Sequence, residues 1–335
     1  MSDQPLQRRT RSDRERLEEA LSPIATRASS TKGREHPEEP DDLRTCFERD
    51  RDRILHAKAF RRLKHKTQVF IAPEGDHVVT RLTHTLNVAQ VGRSIANGLG
   101  LNEALTEAIC LGHDLGHAPF GHTGEGALTP FMPPGMEWLH AFQSVRIVRK
   151  LEPLNLTWEV RDGIWCSSWR NPEPATPEGW VCRFADRIAY LAHDALDAVR
   201  AGVLRTQDLP TDAVALLGAP GSGWIDRLLR AVVDHSVEAG VVAMQPDHAD
   251  AMQVLRDFMF ERVYLRGDAQ EQARKAVTVI RDLVEWFAER PDLIAPGYCL
   301  PGDAPVQQAI DYVAGMTDRY AIREHDRLFR PLGAF

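Results

Sequence analysis

The sequence predicts an all-α fold, and three observations carry that expectation. Apolar residues recur at helical spacing through several long stretches. Alternating strand patterns are scarce. Glycine, proline and capping residues fall between the periodic stretches. Taken in order, residues 1–45 are polar and charged and read as a flexible arm, with one short helix around Arg14–Leu21. From Arg51 the pattern turns helical. Leu82, Leu86, Val88, Ala89, Val91, Ile95 and Leu99 form a stripe, with Gly98 and Gly100 as stop signals. Asn102 is placed to cap the next helix, where Leu105 and Ile109 stand four apart. Phe184, Ile188, Leu191, Ala195 and Ala198 make a further stripe, and Ala273, Ala276, Ile280, Leu283 and Phe287 another. Val69-Phe70-Ile71 and Val78-Val79 flank Pro73-Glu74-Gly75-Asp76, which allows a small hairpin or an irregular loop. The run from Gly218 to Gly223 lacks the Lys-Ser/Thr ending of a phosphate loop and reads as surface. One continuous core is expected.

Composition narrows the class. The chain has 335 residues, 43% hydrophobic and 27% charged, which excludes a largely disordered protein. A net charge of −7 argues against a broadly basic nucleic-acid coat. The acidic excess sits in residues 206–335, with 13 Lys+Arg against 20 Asp+Glu. Cys46, Cys110, Cys166, Cys182 and Cys299 form no CxxC pair, so neither a disulfide scaffold nor a zinc ribbon is expected. Reduced thiols in a cytoplasm fit best. The first residues lead into charged sequence, so no signal peptide is expected, and no membrane association is expected from a chain without a long apolar run.

Chemistry concentrates in three places. His113, His117, His122 and His140 lie close together beside Asp114 and Glu125, interleaved with glycines. Imidazoles mixed with carboxylates favour a divalent ion such as Mn, Fe, Co or Mg over a closed thiolate zinc site. The His113/His117 spacing matches a zinc-protease helix, but Asp114 stands where that motif has Glu, and glycines interrupt the helix. Asp186, Tyr190, His193, Asp194 and Asp197 share one helical face, either a solvated surface or the wall of a site. Arg61-Arg62-Leu63-Lys64-His65-Lys66 reads as a solvated face, an anion-binding surface or a single-stranded nucleic-acid contact. Arg81, just upstream of His84, is a candidate anion ligand or a plain surface charge.

Together these residues resemble the bacterial deoxyguanosinetriphosphate triphosphohydrolase family of the HD-domain superfamily. The matching runs include Phe60-Arg61-Arg62-Leu63, Lys66-Thr67-Gln68-Val69-Phe70 and Thr80-Arg81-Leu82-Thr83-His84. The most specific stretch is Gly112-His113-Asp114-Leu115-Gly116-His117, followed by Pro119-Phe120-Gly121-His122 and Glu125. The resemblance implies an HD-domain helical bundle over 46–205 with appended C-terminal helices over 206–335. It implies His84, His113, Asp114 and Asp186 as ligands of a divalent metal ion (Mn, Mg, Co or Fe), and His122 with Glu125 as an acid–base pair. His117 and His140 would line a phosphate channel, and Arg81 and Arg187 would hold substrate phosphates. Gln68 and Asp194 would read the sugar 3′-hydroxyl, with Tyr190 beside the sugar. Val69 and Tyr264 would crowd a ribose 2′-hydroxyl, and Arg256 would contact phosphate or base.

The implied activity is hydrolysis of a deoxynucleoside triphosphate (dNTP) to deoxynucleoside and inorganic triphosphate. A dNTP effector and a homo-oligomer, a hexamer in relatives, are implied partners. Two departures stand out: Ala141 replaces the family's usual Asn, and residues 167–180 are short and Pro-rich. The alternatives are another HD phosphohydrolase, acting on a nucleoside monophosphate, cyclic nucleotide or alarmone, and a non-catalytic dNTP sensor.

Overall fold

The computed structural model describes residues 6–68, 79–264 and 267–331, with 267–269 described by backbone alone. Among the described residues it is all-α, with only two isolated bridges, Arg34–Thr157 and Thr67–Thr80. The expected hairpin falls mostly outside the described residues, and Val69 lies outside them entirely.

Three helices precede the central pair: α1 (Arg11–Leu17), α2 (Cys46–His56) and α3 (Lys58–Arg62). The central helices are α4 (Arg81–Leu99) and α5 (Glu103–Gly112). Thr80 caps α4 through the Thr83 N–H, and Gly100, at φ 63°, closes it in the left-handed conformation that glycine adopts without strain. Gly98, read as a second stop, lies inside α4, where a Cβ would press on Val233. Asn102 caps α5 as expected, its Oδ1 accepting from Leu105 N at 3.2 Å. Nearly all of α5 is buried, from Leu105 to Gly112, so it is the axle of the bundle.

Around it pack α2, α4, α8 (Trp158–Trp165) and α9 (Pro177–Arg200). The short helices α6 (Gly121–Leu128) and α7 (His140–Arg146) stand between α5 and α8 in the chain. Leu86, counted in the apolar stripe of α4, is 48% exposed. Its neighbours at Val88, Val91 and Ile95 carry the buried face instead.

The C-terminal part divides. Helices α10 (Thr211–Leu217), α11 (Ser222–Ala239) and α12 (Pro246–Met259) join the first core through Leu217, Trp224, Leu228 and Leu255. Helices α13 (Gly267–Glu289), α14 (Pro305–Ala314) and α15 (Asp318–Phe329) form a second core, into which α6 inserts Ala127 and Leu128. The expectation of one continuous core is therefore corrected to two apolar clusters. Polar groups fasten them together. Asp311 on α14 is fully buried and accepts from Gln143 and Arg146 at 2.9 Å. Asp318 on α15 accepts from Thr67 N at 2.9 Å, from the Thr67 hydroxyl, and from Phe120 N at 3.0 Å.

The N-terminal segment departs from the expected flexible arm. Its first helix begins at Arg11 under a Thr10–Asp13 capping box. Thereafter its backbone serves carboxylates of the bundle. Glu178 accepts from Thr26 N at 3.0 Å, Glu159 from Lys32 N at 2.6 Å, and Arg34 pairs with fully buried Asp50. A buried carboxylate without such donors is costly, so the polar arm is held by the groups it satisfies.

Replacing Asp318 with Ala would strip two backbone N–H groups of their acceptor. A loss of about 1–3 kcal/mol per orphaned group is expected. Chemical denaturation measures it, and an unchanged midpoint would refute the tie.

Candidate functional site

Five segments meet where the two cores approach. The first turn of α4 supplies Arg81 and His84. His113 is the C-cap of α5, and Asp114 and His117 follow it in a tight turn. Helix α6 carries His122 and Glu125, α7 begins at His140, and α9 carries Asp186, Arg187, Tyr190 and Asp194. Two local devices bring the segments this close. At Gly116 a Cβ would lie 2.2 Å from Ser144 N and 2.4 Å from His140 O, so only glycine lets the turn reach α7. Ser144 then locks the contact, accepting from Gly116 N at 2.8 Å and donating to His113 O at 2.9 Å. At the start of α6, Phe120 (φ 63°) and Gly121 (φ 58°) are both left-handed, a conformation stabilised at Phe120 by the Asp318 hydrogen bond.

His84, His113 and Asp186 present one donor atom each within 4.8 Å of one another. Asp186 Oδ1 lies 3.0 Å from His84 Nε2 and 3.7 Å from His113 Nε2. Donors bonded to one ion at about 2.1 Å stand about 3.0–3.4 Å apart, so this set could hold a divalent ion. The protonation pattern agrees. His113 Nδ1 faces the Cys110 carbonyl at 2.6 Å, which fixes the proton there and leaves a lone pair on Nε2. That Nε2 is buried without a hydrogen-bond partner. Asp114 lies against the set, with Oδ1 3.4 Å from His113 Nε2, but gives Oδ2 to Arg81 at 2.8 Å. Arg81, open to reading as a surface charge, is buried.

The electrostatics follow from burial opposed by close charges. Burial favours the neutral form of Asp114, yet His113, Arg81, His117 and His84 hold it well below the ordinary carboxylate range. Burial likewise opposes ionisation of Asp186, and the His113 and His84 imidazoles beside it overcome it. His113 is pushed up to about 10 because Asp114 and Asp186 outweigh its burial.

A second cluster centres on Glu125. Its Oε1 lies 2.7 Å from His117 Nδ1 and 3.0 Å from His140 Nδ1, and its Oε2 lies 3.5 Å from His122 Nδ1. The His117 contact is short but poorly aligned for a hydrogen bond. Glu125 is thus shared among three histidines rather than paired with one. Burial works against its charge, but His117 and His140 keep it ionised well below its usual range. The His117 and His140 rings stack with centroids 4.1 Å apart and planes 11° apart. Burial, reinforced by Arg81, holds His117 neutral, whereas Glu125 overcomes burial to raise His140. His122 is open to solvent, its side chain 75% exposed.

The remaining expected residues lie around these clusters. Tyr264 donates to Asp194 Oδ2 at 2.6 Å. Gln68 has a buried Oε1 without a partner. Arg187, Tyr190 and Arg256 stand near one another, and burial pushes the Tyr190 hydroxyl up to about 12. Arg256 otherwise contacts Asp257 at 3.3 Å and the Phe260 ring, and has no direct contact with the histidine clusters. Arg187 stacks on Trp169, its guanidinium carbon 4.4 Å from the ring centroid, and its buried Nε has no partner. The acidic face of α9 is therefore no plain solvated surface: Asp194 is buried outright. Nor is the basic run uniform, because Lys66 turns inward to the carbonyls of His117 and Ala314. Sequence reasoning missed Ser144, Trp169 and Asp318, and the inward direction of Lys66, whose partners lie elsewhere in the chain.

Burial pushes Asp194 from an ordinary 3.8 up to about 7, against the opposing Tyr264 hydrogen bond. The folded chain holds this proton longer than the unfolded chain. Stability therefore falls as pH rises from about 4 to about 7. Asp194→Asn is expected to flatten that part of the profile, read from denaturation midpoints at pH 5 and 7.5. An equal slope in both proteins would refute the shift.

Comparison with known proteins now places the chain. Residues 81–191 match the model of the HD domain, and residues 242–327 that of the phosphohydrolase-associated domain. A protein of Caldanaerobacter subterraneus subsp. tengcongensis is 47% identical over 317 residues, covering 93% of each chain. One of Clostridium perfringens (strain 13) is 44% identical over 328 residues, covering 93% of this chain and 94% of its own. One of Ralstonia nicotianae is 38% identical over 370 residues, covering 93% and 95%. Each is called a deoxyguanosinetriphosphate triphosphohydrolase-like protein. A solved structure, of a hypothetical protein from Aquifex aeolicus, covers 84% of this chain and 71% of its own at 20% identity and a TM-score of 0.48. The HD match spans every segment of the two histidine clusters, and the relatives match almost end to end, so the chain belongs to the deoxyguanosinetriphosphate triphosphohydrolase-like family of HD-domain phosphohydrolases.

Proposed function

We propose that this protein hydrolyses deoxynucleoside triphosphates to deoxynucleoside and inorganic triphosphate. The observation that carries this reading is the adjacency of the two clusters. A metal-competent set at His84, His113 and Asp186, with Asp114 against it, adjoins a buried carboxylate, Glu125, shared among three histidines. The relatives' names point to the same substrate class. His84, His113, Asp114 and Asp186 would hold the divalent ion, which when bound supplies Lewis acidity to a phosphoryl oxygen and acidifies water.

The chain's own groups do the rest. Arg81 and Arg187 bind triphosphate oxygens and neutralise their charge. His117 and His140, held by Glu125, line the path of the polyphosphate. Water attacks the α-phosphorus, and the bond to O5′ breaks. His122, accessible and turned by Glu125, gives its proton to O5′ as the deoxynucleoside leaves. Asp194 and Gln68 accept from the sugar 3′-hydroxyl, and Tyr264 fixes Asp194. A closely packed tyrosine there disfavours a 2′-hydroxyl.

The test is product analysis. The purified protein is incubated with each dNTP and each ribonucleotide, singly and mixed, with Mg, Mn or Co. Inorganic triphosphate from dNTPs is expected; orthophosphate or pyrophosphate would overturn the reading in favour of another HD phosphohydrolase. His122→Ala is expected to keep its metal content and lose turnover by about 10²–10⁴-fold. Unchanged turnover would remove His122 from the role.

The Trp169 stack yields a separate expectation. Trp169 holds the Arg187 guanidinium, so Trp169→Ala should raise KM for dNTP more than it lowers kcat, with Trp169→Phe intermediate. A stack of this kind contributes about 0.5–2 kcal/mol, or a few-fold to thirtyfold in KM. An unchanged KM would exclude the positioning role.

A further inference from the structure

We infer that Lys66 is a positioning residue of this site: without meeting substrate, it holds Arg81 and the turn that carries His117 in register, and so sets the grip on the polyphosphate. That role rests on the reading of Arg81 and His117 proposed above. The side chain is sealed from solvent, 3% exposed. Its amino group donates to the His117 carbonyl and, at 2.9 Å, to the Ala314 carbonyl. Ala314 is the last residue of α14, where carbonyls have no partner within the helix and carry partial negative charge. A lysine that reaches this carbonyl and the His117 carbonyl together pins the helix end to the turn. Burial, and after it the nearby charge of Arg62, holds the Lys66 amine well below the usual lysine range. A neutral amine still offers an N–H to each carbonyl. Both donors are thus engaged beneath the turn, and neither is left for a substrate oxygen.

The backbone beside Lys66 holds Arg81. Arg81 N donates to the Lys66 carbonyl at 3.2 Å, and Arg81 Nε donates to the Thr67 carbonyl at 3.2 Å. The second bond aims the guanidinium, which reaches Asp114 Oδ2 at 2.8 Å. Thr67 is fixed in turn by Asp318, which also accepts from Phe120 N at the start of α6. Lys66 therefore sits where three pieces meet: the turn after α5, the first turn of α4 and the end of α14. An apolar side chain of similar volume would fill the space but leave two buried carbonyls without a donor, which is costly. The turn and the helix end would part to hydrate them, and His117 and Arg81 would lose their common spacing. A grip built from donors at fixed separations is sensitive to such shifts.

The sugar pocket is built elsewhere. Asp194 stands on α9 and Tyr264 on the turn that follows α12, and Tyr264 donates to Asp194 at 2.6 Å. Loss of the Lys66 contacts should therefore weaken the hold on phosphate and spare the hold on the nucleoside. A lysine that only stabilised the fold would loosen both alike.

The test separates the two holds. Manganese-loaded protein is titrated with inorganic triphosphate and, separately, with each deoxynucleoside, and binding is followed by calorimetry. Lys66→Met, which keeps the length of the side chain and removes its donors, is expected to weaken triphosphate binding by about 10–100-fold. Its manganese content and deoxynucleoside binding should match wild type, and KM for dNTP should rise more than kcat falls. Lys66→Gln keeps an N–H for each carbonyl on a shorter stem and should lie between the two; it also carries the comparison if Lys66→Met does not fold. No triphosphate binding by wild type, unchanged binding in a folded variant, or an equal loss for both ligands overturns the role. Orthophosphate as the wild-type product, with triphosphate affinity still lost in Lys66→Met, would refute the reaction and leave the role standing. Triphosphate product, with triphosphate affinity intact in Lys66→Met, would do the reverse.

Discussion

Asp114 is a carboxylate sealed from solvent, and the rest of the structure is arranged around keeping it charged. Burial of an isolated carboxylate is so costly that the group would take up a proton. Here His113, Arg81, His117 and His84 surround it, and the charges of His113 and Arg81 foremost hold it ionised. Each of those four comes from a position fixed by packing. Arg81 and His84 project from a helix start capped by Thr80, His113 ends the largely buried α5, and His117 lies where Gly116 allows the turn to touch α7. The charge balance of the centre is thus a property of the bundle more than of any single side chain.

The same logic repeats outward. Glu125, Asp186, Asp311 and Asp318 are carboxylates whose donors come from other segments of the chain. The apolar clusters supply compactness but little specificity, since an apolar contact tolerates sliding. The buried acids supply the registration, because a displaced donor leaves a charge unpaired. The two apolar cores are joined chiefly by such pairs, which fixes the C-terminal helices against the turn that carries the histidines.

Much of this was legible in the sequence. The helical stripes at 88–95 and 184–198, the Asn102 cap, and the end of α5 at His113 all follow from local periodicity and capping chemistry, which a short window contains. The metal-competent set was legible only through the family wording, because the helical face of α9 offers Asp186, Asp194 and Asp197 without distinguishing them. Asp186 alone reaches His84 and His113. What could not be read were partners distant in the chain. Nothing near Lys66 says that it points inward to Ala314 O, and nothing near Thr26 or Arg34 says that Glu178 and Asp50 need them. Polarity there suggests exposure, whereas the polar groups close hydrogen bonds inside. The division into two cores is hidden for the same reason: helical periodicity shows that a face is buried, not against what.

The Asp318 tie has a consequence for how the protein is made. Its donors, Thr67 and Phe120, precede it by 251 and 198 residues. Chains fold from the N-terminus as they are synthesised. The bundle around α5 can therefore assemble while the last helices are still unsynthesised, with both N–H groups bonded to water. Only when α15 has left the ribosome does the Phe120 turn acquire its acceptor and the start of α6 its support. The centre is completed last, so a nascent or truncated chain carries nearly every candidate site residue in sequence without the geometry that brings them together.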